Sequence, residues 1–196
     1  MPSLTRLQAV AAASVAFAVS FAAPAMAQQA PDCEIYRAVF TRMAPDSTKP
    51  MVVYDSTSLG TPSFAFHAWT SMPLPKDSTY RMSQATWDAL RANLAPRGPL
   101  PECINQMRPM MRVWYDSIQT KFADREKGWE TFRAAYPKAN GFFMFGKPYW
   151  PVAGGDLALL YGASAADWLA GGGDVYYVKL VDGRWAVVGR HPLWRS

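Results

Sequence analysis

Apolar and polar residues alternate with a period of two through the last third of the chain. Phe142–Lys147, Asp156–Tyr161, Val175–Val181 and Arg184–Arg190 each read as a strand, and their succession predicts an antiparallel meander. Asp182-Gly183, between the last two, is a two-residue turn whose residues tolerate positive φ. That turn sets Val181 opposite Arg184, Leu180 opposite Trp185, Val178 opposite Val187 and Tyr176 opposite Gly189. Tyr176, Val178, Leu180, Trp185 and Val187 then share one face, and Lys179, Arg184 and Arg190 the other. A slip of one residue would turn every side chain over, so the pairing and the pattern support each other. Gly189 leaves room for the Tyr176 ring or marks a bulge.

Earlier segments follow a helical period. Ile35, Val39, Phe40 and Met43 form one stripe on a helix capped by Asp32 and stopped by Pro45, with Gln28–Pro31 as a frayed start. Ser83 opens a second helix to about Ala95, with Trp87, Leu90 and Leu94 on one side. A third covers Arg125–Tyr136, with Trp129, Phe132 and Tyr136 together and Pro137 as the stop. Met51–Thr57 and Met110–Ser117 are β-prone, and residues 58–82 read as irregular connection containing a possible short strand, Phe64–Trp69. The fold class is a single α+β domain. An antiparallel sheet of four to five strands, mostly from the C-terminal half, carries two to three amphipathic helices on one face.

The start of the chain changes the picture of where this domain works. Met1–Ala27 has Arg6 near its amino end, an apolar run from about Leu7 to Phe21, then Pro24 and the small-x-small ending Ala25-Met26-Ala27. That is the build of a signal peptide cleaved after Ala27, leaving 28–196 as one globular domain in the periplasm or outside the cell. The apolar run is short of the ~20 residues a spanning helix needs, so no membrane span is expected after cleavage. In an oxidising compartment the only two cysteines, Cys33 and Cys103, are expected to form a disulfide.

Charge excludes rather than assigns. The formal charge is +5, and removal of Arg6 leaves about +4, with the basic residues scattered rather than blocked. No nucleic-acid stripe is expected.

The run from Trp129 to Gly141, then Ala158-Leu159-Leu160-Tyr161, Leu169-Ala170-Gly171-Gly172-Gly173, Tyr176-Tyr177-Val178, Gly183-Arg184-Trp185 and the ending Leu193-Trp194-Arg195-Ser196 resembles a group of exported bacterial proteins with no assigned activity. The resemblance covers residues 125–196. It implies a shared fold and secretion, and it carries no catalytic residue across.

No motif specifies chemistry. His67 and His191 are the only histidines, and either would need an adjacent carboxylate to make an acid–base site. The acids Asp55, Asp77, Glu102, Asp116 and Asp156 are of a kind any domain carries. Gly162-Ala163-Ser164-Ala165-Ala166 lacks the final glycine of a nucleophile elbow. Gly171-Gly172-Gly173 precedes a strand rather than a helix, so it reads as backbone freedom at a tight turn or bulge, not as a phosphate cradle. For zinc the cysteine pair would need extra ligands that only two histidines can hardly supply, and no metal or cofactor is expected.

Aromatic rings are the remaining signal. Of eight tryptophans, Trp87, Trp129 and Trp185 fall on core stripes, whereas Trp150, Trp168 and Trp194 fall in loops or at element ends. Exposed rings line small-ligand sites, so those three are the candidate ligand-binding residues. The reading favoured by the sequence is a non-enzymatic envelope protein that binds a small ligand or a partner through an aromatic cleft. The alternative is a hydrolase of cell-wall or exported material using an unrecognised histidine or carboxylate site.

Overall fold

A computed structural model describes residues 26–44, 46, 48–57, 83–94, 98–107, 110–113, 127–139, 141–167 and 170–195. Met1–Ala25, His67, Phe64–Trp69, Asp77, Asp116 and Trp168 lie outside the described residues. The described chain is α+β. Helices α1 (Met26–Met43), α2 (Gln84–Leu94) and α3 (Gly128–Ala135) accompany a six-stranded sheet, most of whose residues come from the C-terminal half. In chain order the strands are β1 (Met51–Tyr54), β2 (Ser56–Thr57), β3 (Gly98–Pro99), β4 (Met110–Val113), β5 (Phe142–Phe145), β6 (Leu157–Asp167), β7 (Ala170–Val181) and β8 (Arg184–Arg195). The large sheet runs β4-β1-β5-β6-β7-β8, and β2 pairs with β3 apart from it.

The meander β5–β8 is antiparallel throughout, but β1 pairs parallel with both β4 and β5. Parallel neighbours need long crossovers, and the segments holding α2 and α3 make them. Both sheet faces are covered, which corrects the one-face expectation. Ile35, Tyr36, Val39 and Phe40 of α1 pack with Val53, Phe145, Leu160, Tyr176 and Val178 on one side. Trp87 and Leu90 of α2, with Trp129 and Phe132 of α3, pack with Val52, Met144, Leu159, Tyr161 and Tyr177 on the other. Two-sided burial explains why Met51–Tyr54 and Phe142–Phe145 are unbroken apolar runs.

Local chemistry accounts for the helix limits. Ser83 accepts at its Oγ from the Thr86 amide (3.1 Å), capping α2 as expected. Asp32 is not a cap. The helix continues past it to Met26, with Pro31 inside, and the Asp32 carboxylate instead accepts from Trp150 Nε1 (3.2 Å). Tyr36 donates to the Gly146 carbonyl at 2.7 Å, tying α1 to the end of β5. Cys33 and Cys103 are bonded, with a Cα–Cα distance of 6.1 Å, and staple α1 to the short 3₁₀ turn Glu102–Gln106.

Strands β6, β7 and β8 are each longer than their alternation predicts. The small-residue stretches pair with one another: Ala163 faces Gly173, Ser164 faces Gly172 and Ala165 faces Gly171. The three glycines therefore belong to a strand, not to a turn. Their φ values are not positive, so close approach rather than backbone freedom explains them. A Cβ on Gly173 would sit 2.2 Å from Trp194 Nε1, and one on Gly172 would sit 2.9 Å from the end of the Arg195 side chain.

The Asp182-Gly183 turn forms as expected, with φ of 49° and 73°. Val181–Arg184, Leu180–Trp185 and Val178–Val187 pair as read from the sequence. Beyond them two bulges interrupt β8. Val188 is the extra residue in the first, so Tyr177 faces Gly189 and Tyr176 faces Arg190. Leu193 is extra in the second, so Asp174 faces Pro192, Gly173 faces Trp194 and Gly172 faces Arg195. The first bulge moves Arg190 off the Lys179 face and onto the Tyr176 face, which is a correction. The second places Arg195 on that same face.

Candidate functional site

Trp150 and Trp194 do not meet. Trp150 packs on the α1 side, edge-on to Trp185 with centroids 5.2 Å apart, and its N–H is held by Asp32. Trp194 is a strand residue packed on the α2/α3 side, where its N–H donates to Tyr161 Oη at 3.1 Å. The sheet separates the two rings, both are partly buried, and both N–H groups have protein partners. Their third member, Trp168, lies outside the described residues. His191 is buried on one side of the sheet. It faces Val175 on the α2/α3 side and is 8% exposed, and burial holds its imidazole below the usual histidine range against the raising pull of Asp174. Asp156 is spent on Lys179 at 3.5 Å, and Glu102 accepts from Asn105 at 2.9 Å. Asp55 lends its backbone carbonyl to the Leu100 amide at 3.0 Å. No cluster of three metal-ligating side chains occurs among the described residues, and no described helix is long and apolar enough to cross a membrane.

The structure instead assembles a cleft of about 440 Å³ where α1 ends against the glycine half of the sheet. Ser164, Gly171 and Gly172 supply a floor of small residues, and Arg42, Arg190 and Arg195 stand around it. Arg42 is in the last turn of α1, where a cation also suits the helix dipole. The two β8 arginines arrive through the two bulges. Asp174 and Tyr176 alternate with glycine on the same face of β7, and complete the polar lining.

Asp174 is the fixed centre. Its carboxylate is 9% exposed and ion-paired to Arg195, whose Nη2 lies 2.5 Å from Oδ1. Arg195 also donates to the Gly173 carbonyl at 3.2 Å and to its neighbour Trp194 at 2.6 Å. Three acceptors therefore hold one guanidinium, and the absent Gly172 side chain lets it lie across the strand. Tyr176 donates to Asp174 Oδ2 at 3.3 Å. Burial, and then the Asp174 charge, push the Tyr176 phenol far above the usual tyrosine range, so it stays a donor.

Arg190 and Arg42 are differently placed. Arg190 comes only within 3.9 Å of Asp174 Oδ2, beyond hydrogen-bond reach, and its side chain is about half exposed. Arg42 is exposed and makes no hydrogen bond or ion pair with any described residue. Arginine keeps its charge and offers only donors. The cleft thus carries two guanidinium groups with donors to spare and one locked against a buried carboxylate. Sequence reasoning missed this site because strict alternation assigns Arg190 to the opposite face. The available signals were Gly189, a bulge marker, and Pro192 in the extended strand. No protein-family profile, curated protein or solved structure matches the chain.

Proposed function

We propose that the chain is exported, loses Met1–Ala27 as a signal peptide, and works in the periplasm or outside the cell as a binding protein. Its ligand is a small anion held in the Arg42–Arg190–Arg195 cleft and released unchanged. The observation that carries this reading is the excess of guanidinium groups in one concavity, with Arg42 bonded to no described residue and Arg190 only in a long, 3.9 Å ion pair with the carboxylate that already holds Arg195. Groups that hold anions without exchanging protons at neutral pH suit binding better than acid–base chemistry. The Cys33–Cys103 bond and the pattern shared with exported bacterial proteins support export. His191 does not line this cleft, so it lends the hydrolase alternative no support there.

Mass spectrometry and thermal melting of protein recovered after export test the proposal together. The product should begin at Gln28, and its melting temperature should rise with small anions but not with neutral sugars or amines. Retention of Met1–Ala27, or an equal response to neutral and anionic compounds, would refute it.

A further inference from the structure

We infer that the cleft selects a tetrahedral dianion, a phosphate or phosphate monoester group, over a planar monocarboxylate. This rests on the reading of the cleft as an anion site and names the ligand class. Charge is the first argument. Three arginines and one carboxylate line the cleft, and 3 − 1 leaves +2, which a dianion neutralises and a monocarboxylate does not. Donor geometry is the second. One carboxylate is satisfied by a single guanidinium fork, whereas the donors left free here lie on two separate guanidinium groups, since Arg195 is already engaged by Asp174 through Nη2 and by two backbone carbonyls through Nη1. Arg42 and Arg190 reach the cleft from different elements, the end of α1 and the middle of β8, so their forks approach from different directions. A tetrahedral group presents oxygens along several directions and accepts from both, with the Ser164 hydroxyl as a further donor on the floor. The third argument is the lock itself. With its guanidinium held by Asp174, Gly173 and Trp194, Arg195 adds positive potential without having to be ordered on binding.

The roles divide accordingly. Arg42 and Arg190 grip the ligand, whereas Asp174 acts as a positioning residue through Arg195. Inorganic phosphate, a sugar phosphate and a phosphomonoester lipid headgroup share the required chemistry.

Isothermal titration of the mature protein at about pH 7.5, where a phosphate monoester is mostly dianionic, tests this. The probes are inorganic phosphate, glycerol 3-phosphate, acetate, and neutral vesicles with and without phosphatidic acid. Phosphate or glycerol 3-phosphate should bind at least ~10-fold more tightly than acetate, and binding should weaken as the ligand takes up a proton below about pH 6. Binding confined to phosphatidic acid vesicles also supports the inference and identifies the source as a headgroup. Arg42→Gln and Arg190→Gln, both at exposed positions, should each weaken phosphate binding by ~10-fold or more while circular dichroism and melting stay unchanged. Acetate binding as tightly as phosphate, with the same loss in Arg190→Gln, would overturn the dianion inference and leave the anion site standing. No binding of any anion would overturn both.

Discussion

Replacing Gly173 with alanine should destabilise the protein far more than the same change one residue earlier. The two glycines are neighbours in β7 and point to opposite faces. At Gly173 the new methyl would lie 2.2 Å from Trp194 Nε1 and 2.8 Å from Tyr161 Oη, where ordinary contact begins at 3.4 Å, so the indole must retreat by about 1.2 Å. Tyr161 is fully buried and Trp194 is wedged against the α2/α3 core, so neither ring yields easily. Overpacking of that kind costs about 1–3 kcal/mol. The strained Trp194–Tyr161 hydrogen bond adds about 1 kcal/mol. Lower entropy of the unfolded chain returns ~0.4–1 kcal/mol. The net is a loss of roughly 1–3.5 kcal/mol, or about 2–14 °C in melting temperature for a chain of this size. At Gly172 the methyl meets only the Arg195 side chain, at 2.9 Å, and that flexible, half-exposed chain need give only about 0.5 Å, which leaves its contact with Asp174 in place. Its cost should stay within about 1 kcal/mol of wild type. Urea unfolding followed by tryptophan fluorescence and far-ultraviolet dichroism reads both. Equal losses at the two positions, or a larger loss at Gly172, would refute close approach as the reason for these glycines.

Two further outcomes follow from the same coordinates. Removing the cross-link with Cys33→Ser and Cys103→Ser opens a loop of 70 residues, and the chain-entropy estimate for that length is a loss of about 4 kcal/mol in urea unfolding; a loss under ~1 kcal/mol would reject that account. The pH dependence of stability should carry a His191 component. Because its folded-state affinity for protons is lowered, the unfolded chain binds the proton first. Stability is then full above about pH 6.5 and declines as the pH falls through that value toward the lower folded one. His191→Gln should flatten this slope in melting curves taken between about pH 7 and 5, and an unchanged slope would discard the assignment.

Legibility of the fold followed the range of the interaction that sets each element. The hairpin at Asp182-Gly183 and the stripes of α1, α2 and α3 are local, and they formed where the pattern put them. Parallel pairing of β1 with β4 and β5 depends on partners far along the chain, and no local pattern encodes a neighbour's direction. Burial on both faces did leave a trace, since Met-Val-Val-Tyr and Phe-Phe-Met-Phe are runs without alternation. The expectation of one covered face passed over it. Alternation stops short of Gly162–Ala166, and Gly171–Gly173 reads as a tight turn or bulge, because small residues lack strand propensity. They pair in the sheet because Trp194, Tyr161 and Arg195 need the space above them. The cleft was hidden by the bulges at Val188 and Leu193, each a single residue that reverses the face of everything after it. Trp150 and Trp194 drew notice as loop aromatics, yet each finishes a core on its own side of the sheet.

The bed on which α1 lies has a consequence for the order of events at synthesis. Of the described elements this helix is synthesised before all others, yet it packs against β6, β7 and above all β8, the last of them. Until Arg184–Arg195 have been translated, Ile35, Val39 and Phe40 lack part of the surface that shelters them, and Asp174 lacks Arg195. Premature collapse of the nascent polypeptide is thereby discouraged, because the closing contacts join elements more than a hundred residues apart in the chain.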